Sequence, residues 1–315
     1  MTIDKKYIDL FVNVTTKAAL ASSYYVGKKD KIIADKSAVD AMRNELNKID
    51  MRGQIVIGEG ELDDAPMLFI GEVLGNKNSP EFDIAVDPLE GTNFAANNLP
   101  GALSVIAVSE KNNLFNAPET YMEKIAINSS EKGIVDLDFS IKKNISNLAE
   151  SLNKPINQIT ACILDRPRHK KIIEELKKLN VKLKLISDGD ISGALLVSDI
   201  KHNTDIFLGI GGGPEGVLSA SALDTFNCFF QCRFIFKDDN VKNRAKTMGI
   251  RDFEKKYELN EIVSGDSIFC ATGITTGDIV KGIIKKGNSV ITETLVTHKS
   301  SNFKRIIKKE DVIKT

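Results

Sequence analysis

The 315-residue chain lacks any excess of charge, with 43 lysines and arginines facing 43 aspartates and glutamates. That balance argues against general affinity for nucleic acid, which needs a surplus of cations. Histidine is scarce, limited to His169, His202 and His298, and cysteine nearly so, with Cys162, Cys228, Cys232 and Cys270. Cys228 and Cys232 sit among Phe226, Phe229, Phe230 and Phe234, a setting for buried thiols rather than for zinc. No Cys-His or Ser-His-Asp arrangement is suggested. No apolar run is long enough to span a bilayer and the first residues carry no apolar signal core, so no membrane partner and a cytoplasmic location are expected. Chemistry is left to carboxylates and metal.

The acidic residues are not scattered. Asp87-Pro-Leu-Glu90-Gly-Thr92 directly follows the apolar run 82–86, which reads as a buried strand with Asp87 at its C-terminal end. Pro88 fixes one backbone angle and Gly91 permits a tight bend, which would hold two carboxylates and a hydroxyl in one corner. Those groups suit a hard cation and an attacking water. A second constellation, Gly58-Glu59-Gly60-Glu61-Leu62-Asp63-Asp64, follows the strand-like run 54–57. Four carboxylates so close repel unless solvated or bound to cations, so an exposed acidic turn and a metal site remain equal readings of this stretch alone. Asp35 fits the N-cap of a helix over 36–49, a position that requires no function.

Periodicity predicts helices at 4–22 and 36–49 and strands at 54–57, 83–86, 103–108 and 124–127. From about 159, strands at 159–164, 181–186 and 206–210 alternate with helices at 169–179, 190–198 and 214–225, the rhythm of a parallel sheet covered by helices. Residues 140–157, with Asn153-Lys154-Pro155, read as the joint between halves. The segments 267–274 and 289–296 read as late strands returning to the second sheet, and the lysine-rich stretch 304–314 as solvated surface.

The second half offers groups suited to a phosphorylated sugar. Arg166-Pro167-Arg168 and Asp188-Gly189-Asp190 each follow a strand, where open α/β sheets bind ligands. Guanidinium groups match phosphate oxygens, and paired carboxylates accept bonds from vicinal hydroxyls, although helix-start charge clusters look the same. Gly209-Ile-Gly-Gly-Gly-Pro214-Glu215 breaks the phased glycine pattern of a dinucleotide turn at Pro214. Pro214 suits a first helical turn, leaving the amides of Gly212 and Gly213 to face an anion and Glu215 to meet a cation.

Asp-Pro-x-Glu-Gly-Thr resembles the signature of the metal-dependent, lithium-sensitive phosphatases. The longer strings Gly58-Glu-Gly-Glu61, Asp83-Ile-Ala-Val-Asp-Pro88, Tyr121-Met-Glu-Lys124, Pro167-Arg-His169, Pro214-Glu-Gly216 and Thr292-Glu-Thr-Leu295 resemble the bacterial class II fructose-1,6-bisphosphatases. That resemblance implies a layered α/β/α/β/α sugar-phosphatase fold with two sheet-containing domains. We place these at 1–155, metal-binding and catalytic, and at 156–315, binding the sugar phosphate. It further implies dependence on Mn2+ or Mg2+ and hydrolysis of the 1-phosphate of fructose 1,6-bisphosphate in gluconeogenesis, in a homo-oligomer, dimer or tetramer. The implied metal ligands are Asp35, Glu59, Asp87, Glu90 and Glu215, and the implied catalytic set is Thr92, Glu59 and Asp63. Substrate would meet Glu90, Gly91, Thr92, Tyr121, Arg166, Pro167, Arg168, Asp188, Gly189, Asp190 and Gly212. Four departures bear on substrate preference and regulation: Arg166 stands where the family usually has lysine, Ile32-Ile33 replaces a polar pair, and the segment 93–98 and the shortened stretch 227–265 diverge. A dual enzyme also taking sedoheptulose 1,7-bisphosphate, an inositol-type monophosphatase, and a catalytically silent sugar-phosphate-binding regulator are the competing readings.

Overall fold

A computed structural model describes residues 2–60 and 67–312. The chain opens with α1 (Lys6–Ser23), α2 (Lys31–Leu46), β1 (Arg52–Ile57), β2 (Val73–Leu74), β3 (Glu81–Glu90), α3 (Thr92–Ala96) and β4 (Leu103–Glu110). It continues through β5 (Tyr121–Ile127), α4 (Ile141–Ser151), β6 (Thr160–Leu164), α5 (Lys170–Lys178), β7 (Lys182–Ile186), α6 (Asp190–Leu195), β8 (Ile206–Gly212) and α7 (Gly213–Leu223). The last elements are β9 (Phe229–Ile235), α8 (Asp239–Thr247), β10 (Lys256–Glu258), α9 (Leu259–Ile262), β11 (Ser267–Gly273), β12 (Ile284–Lys286), β13 (Ser289–His298) and β14 (Phe303–Val312). The expected α/β class with two sheet-containing units is what the chain adopts. No described helix is long and apolar enough to cross a membrane.

The first unit comprises Met1–Asn116 and Val263–Thr315. Its eight-stranded sheet has the order β12-β13-β11-β4-β3-β1-β2, with β14 pairing β13 off that path. β11 is buried at every position and β4 at all but its last, which marks them as central strands. α1 packs against β3, β4, β11 and β13. Phe11 is fully enclosed there, and Thr272 ties α1 to β13 by hydrogen bonds to Thr15 and Thr294, each 2.7 Å. α2 packs against α1, β3 and α3.

The second unit, Ala117–Ile262, is built on a six-stranded sheet of order β10-β9-β5-β8-β6-β7. Only β7, β6 and β8 run parallel; β5 and β9 lie antiparallel to their neighbours. Its core gathers Ile125, Ile127, Leu148, Ala161, Leu176 and Leu208.

Several expectations are corrected. β11 and β13 complete the first sheet rather than the second, because β11 pairs β4 along seven residues. β5 belongs to the second sheet, between β8 and β9. The expected boundary near residue 155 therefore falls inside the second unit. The supposed joint at 140–157 holds α4, capped by Ser140, whose hydroxyl accepts the Lys143 N–H at 3.2 Å. Residues 304–312 of the lysine-rich stretch belong to β14, which is in register with all ten residues of β13.

Candidate active site

In the first unit, β1 and β3 are adjacent parallel strands paired Ile57 to Ala85, so Glu59 and Asp87 leave the same edge of the sheet. β3 does not stop at Val86. It continues to Glu90 with a register shift against β4 between Asp87 and Glu90, a bulge at the proline that lacks an N–H. Gly91 follows at φ 77°, ψ 51°, a left-handed conformation that favours glycine, and caps α3, whose first residue is Thr92. Glu90 is buried, while Asp87 and Thr92 are partly exposed. The helix carrying Asp35 packs on both β3 and α3.

Asp35 is not a cap. The Asp30 carboxylate accepts the Ile33 N–H at 3.0 Å, starting α2 at Lys31 and leaving Asp35 in the helix proper. Burial carries its carboxyl up to about 6. Glu59 is pushed up to about 8, first by burial and then by the charge of Asp35. Neither side chain has a hydrogen-bond or ion-pair partner among the described residues. A half-buried, all-oxygen pair of carboxyl groups without a cationic partner fits a hard divalent ion in its chemistry. No three acidic, histidine or cysteine side chains converge on a metal-sized space among the described residues. Asp63, with Glu61 and Asp64, lies outside the described residues.

In the second unit, Tyr121 opens β5 between Gly212 and Ile235. The Arg168 guanidinium stands 5.0 Å and the Lys237 ammonium 4.2 Å from its ring centre. Arg168 Nε donates to the Ile210 carbonyl at 2.8 Å, and Arg166 pairs with Asp188 at 3.2 Å. Pro167 begins a single 3-10 turn, Pro167–His169, with Arg166 at its N-cap and Arg168 within it. Gly189, at φ 83°, precedes Asp190 at the start of α6. Gly212 caps α7 and Glu215 lies in its first turn. A side chain on Gly211 or Gly212 would collide with the carboxylates of Asp190 and Glu215, 2.7 Å from the carboxyl carbon in each case. Glu215 is pushed up by burial, opposed by Lys124 and reinforced by Asp190 and Asp188. The glycines are thus the floor on which these two acids rest.

Two groups escaped the reading of the sequence. Lys124, buried on β5, forms an ion pair with Asp190; a lysine inside an apolar strand is a signal that could have found it. Lys237 carries no such mark. A Ser-His-Asp arrangement, not expected, does occur: Ser301 Oγ lies 2.9 Å from His298 Nδ1, and His298 Nε2 lies 3.1 Å from Asp266. Asp266 also accepts the N–H groups of Ile3, Ser267 and Ser300, so the cluster ties the start of the chain to the turn after β13. No disulfide forms among the described residues and all four cysteines are buried, as expected of Cys228 and Cys232.

The family model described as bacterial fructose-1,6-bisphosphatase, glpX-encoded, matches residues 5–311. Fructose-1,6-bisphosphatase 1 class 2 of Escherichia coli (strain K12) is 43% identical over 311 residues, covering 94% of this chain and 92% of that protein. D-fructose 1,6-bisphosphatase class 2/sedoheptulose 1,7-bisphosphatase of Synechococcus sp. (strain JA-3-3Ab) is 40% identical over 321 residues, covering 94% and 92%. Among solved structures, inositol monophosphatase from Anabaena (Nostoc) sp. PCC 7120 is similar over 62% of this chain and 71% of its own, at 12% identity and a TM-score of 0.33. By the family match along nearly its whole length, the chain belongs to the bacterial class 2 fructose-1,6-bisphosphatases.

Proposed function

We propose that the protein hydrolyses the 1-phosphate of fructose 1,6-bisphosphate, releasing fructose 6-phosphate and inorganic phosphate. The observation that carries this reading is the Asp35–Glu59 pair, two mutually repelling carboxylates beside the Asp87–Thr92 corner in a member of this family. Asp35, Glu59, Asp87, Glu90 and Glu215 would hold Mn2+ or Mg2+. Bound there, such cations would supply charge neutralisation at the phosphoryl group and acidification of water. Thr92, whose hydroxyl both donates and accepts, positions the attacking water, and Glu59 and Asp63 take part in its activation. The four thiols are buried, and with no cysteine or histidine read as a covalent nucleophile, direct attack by water is the step proposed.

The second unit reads the sugar. Arg166 and Arg168 hold the distal phosphate, Tyr121 and Gly212 line the substrate, and Asp188 and Asp190 accept bonds from its hydroxyls. The dual name of the Synechococcus relative favours sedoheptulose 1,7-bisphosphate as a second substrate. Phosphate release from a panel of sugar phosphates with Mn2+ tests both readings; hydrolysis of inositol phosphates alone would overturn them. A homo-oligomer, dimer or tetramer, and a cytoplasmic location are also proposed, to be checked by mass in solution and cell fractionation.

A further inference from the structure

Lys124 is only 1% exposed. A buried ammonium is strongly unfavourable unless paired, and even a paired one can often be replaced by apolar side chains without loss of stability. Packing alone therefore does not account for it. Its partner is Oδ2 of Asp190, itself 7% exposed, and Oδ1 of that carboxylate has no hydrogen-bond partner among the described residues. The surroundings are shaped to this pair. Gly211 lies directly beneath the Asp190 carboxylate, and a Cβ on Gly216 would come within 3.2 Å of Lys124 Cε. The other groups facing the ammonium are the Glu215 carboxylate and the Cys232 thiol, the latter pushed up to about 12 by burial. One fixed cation thus stands behind an acid whose second oxygen remains open.

We infer that Lys124 is a positioning residue for sugar recognition, holding Asp190 by one oxygen so that the other accepts a hydrogen bond from a substrate hydroxyl. This rests on the reading of the site given above. Lys124 stays out of contact with substrate and acts only through Asp190.

The test compares full-length wild type, Lys124→Met, Asp190→Asn and the double variant, by steady-state kinetics on fructose 1,6-bisphosphate and by thermal unfolding. Asp190→Asn and Lys124→Met should each raise KM roughly tenfold or more, with a smaller change in kcat. The double variant should recover melting temperature lost in Lys124→Met, since no uncompensated charge stays buried, yet keep a KM no higher than the worse single variant. Lys124→Gln, which retains a donor, should give an intermediate KM and supplies the comparison if Lys124→Met does not fold. A wild-type KM in folded Lys124→Met or Lys124→Gln, or losses that multiply in the double variant, would overturn the inference. If Asp190→Asn raises KM while Lys124 variants do not, the positioning role alone fails. If Asp190→Asn leaves KM unchanged, the substrate reading of the site fails and takes this role with it.

Discussion

The backbone N–H of Ile210 donates to Nε2 of His169 at 2.7 Å, while His169 Nδ1 meets the Leu164 carbonyl at 2.6 Å. The ring therefore joins the end of β6 to β8, immediately beside Arg166 and Arg168. An N–H on one side and a carbonyl on the other assign the neutral imidazole with its proton on Nδ1. Burial lowers the His169 pKa from the ordinary value of 6.5.

The sign of the pH dependence follows. Below 6.5 the unfolded chain takes up a proton that the folded ring refuses, so this group's contribution is full above that value. It is lost progressively as pH falls toward the lowered folded pKa. His169→Gln should be less stable than wild type at pH 8, with the difference shrinking toward pH 5. Urea unfolding at a series of pH values checks this; a constant difference between the proteins would show that His169 does not titrate as argued.

Glu59 has the opposite dependence. Its folded pKa of about 8, raised from 4.5, means the folded state keeps a proton that the unfolded chain has lost. In chelated protein, stability should fall as pH rises from about 4.5 to about 8, and Asp35 adds to this between 3.8 and about 6. Glu59→Gln should stabilise chelated protein at pH 8.5 by on the order of a few kcal/mol at most, with no gain at pH 4. Divalent ions should raise the wild-type melting temperature and do less for the variant. Denaturant titrations with and without EDTA measure both effects. A Glu59→Gln protein that responds to Mn2+ like wild type would remove Glu59 from the metal site.

How far the sequence discloses this molecule depends on the range of each interaction. The strand–bend–hydroxyl corner at Asp87–Thr92 is legible because it is local: Pro88, Gly91 and the apolar run before them dictate it. Strand partners are not local. β11 pairs β4 across more than 150 residues, and nothing in its seven buried positions names the sheet it joins. Two acids compete to cap α2, and only the structure shows that Asp30, not Asp35, reaches the free N–H. β14 was hidden by its lysines, of which Lys304 and Lys308 lie on the exposed side of a strand whose Ile307 packs against the core.

Asp87→Ala and Glu90→Ala should both abolish turnover. Loss of groups that merely orient ligands lowers affinity or activity by roughly 10- to 100-fold, so loss of a ligand should exceed about 100-fold. Their stabilities should differ, because Glu90 is 5% exposed and Asp87 is partly open to solvent. Kinetics at saturating Mn2+, with melting curves of each variant, provide the check. Near-normal activity in either would place the metal elsewhere.

Arg166 and Arg168 are predicted to act differently at the distal phosphate. Arg166 shares its charge with Asp188 at 3.2 Å, so its removal also takes that ion pair from Asp188. Arg168 spends only Nε, on the Ile210 carbonyl, and its guanidinium is braced over Tyr121. Its terminal nitrogens have no protein partner among the described residues and can meet a phosphate as a fork. Arg168→Ala should raise KM for fructose 1,6-bisphosphate more than for fructose 1-phosphate. A charge-assisted bond contributes about 1.5–3 kcal/mol, so the preference for the bisphosphate should fall roughly tenfold or more. Arg168→Lys should recover only part of that, because the charge returns without the planar fork and the stacking on Tyr121. Arg166→Lys should be milder, since a single point charge can still pair with Asp188. Steady-state kinetics on the two substrates distinguish these roles. Equal losses on both substrates would move the arginines from the distal phosphate to the reacting one.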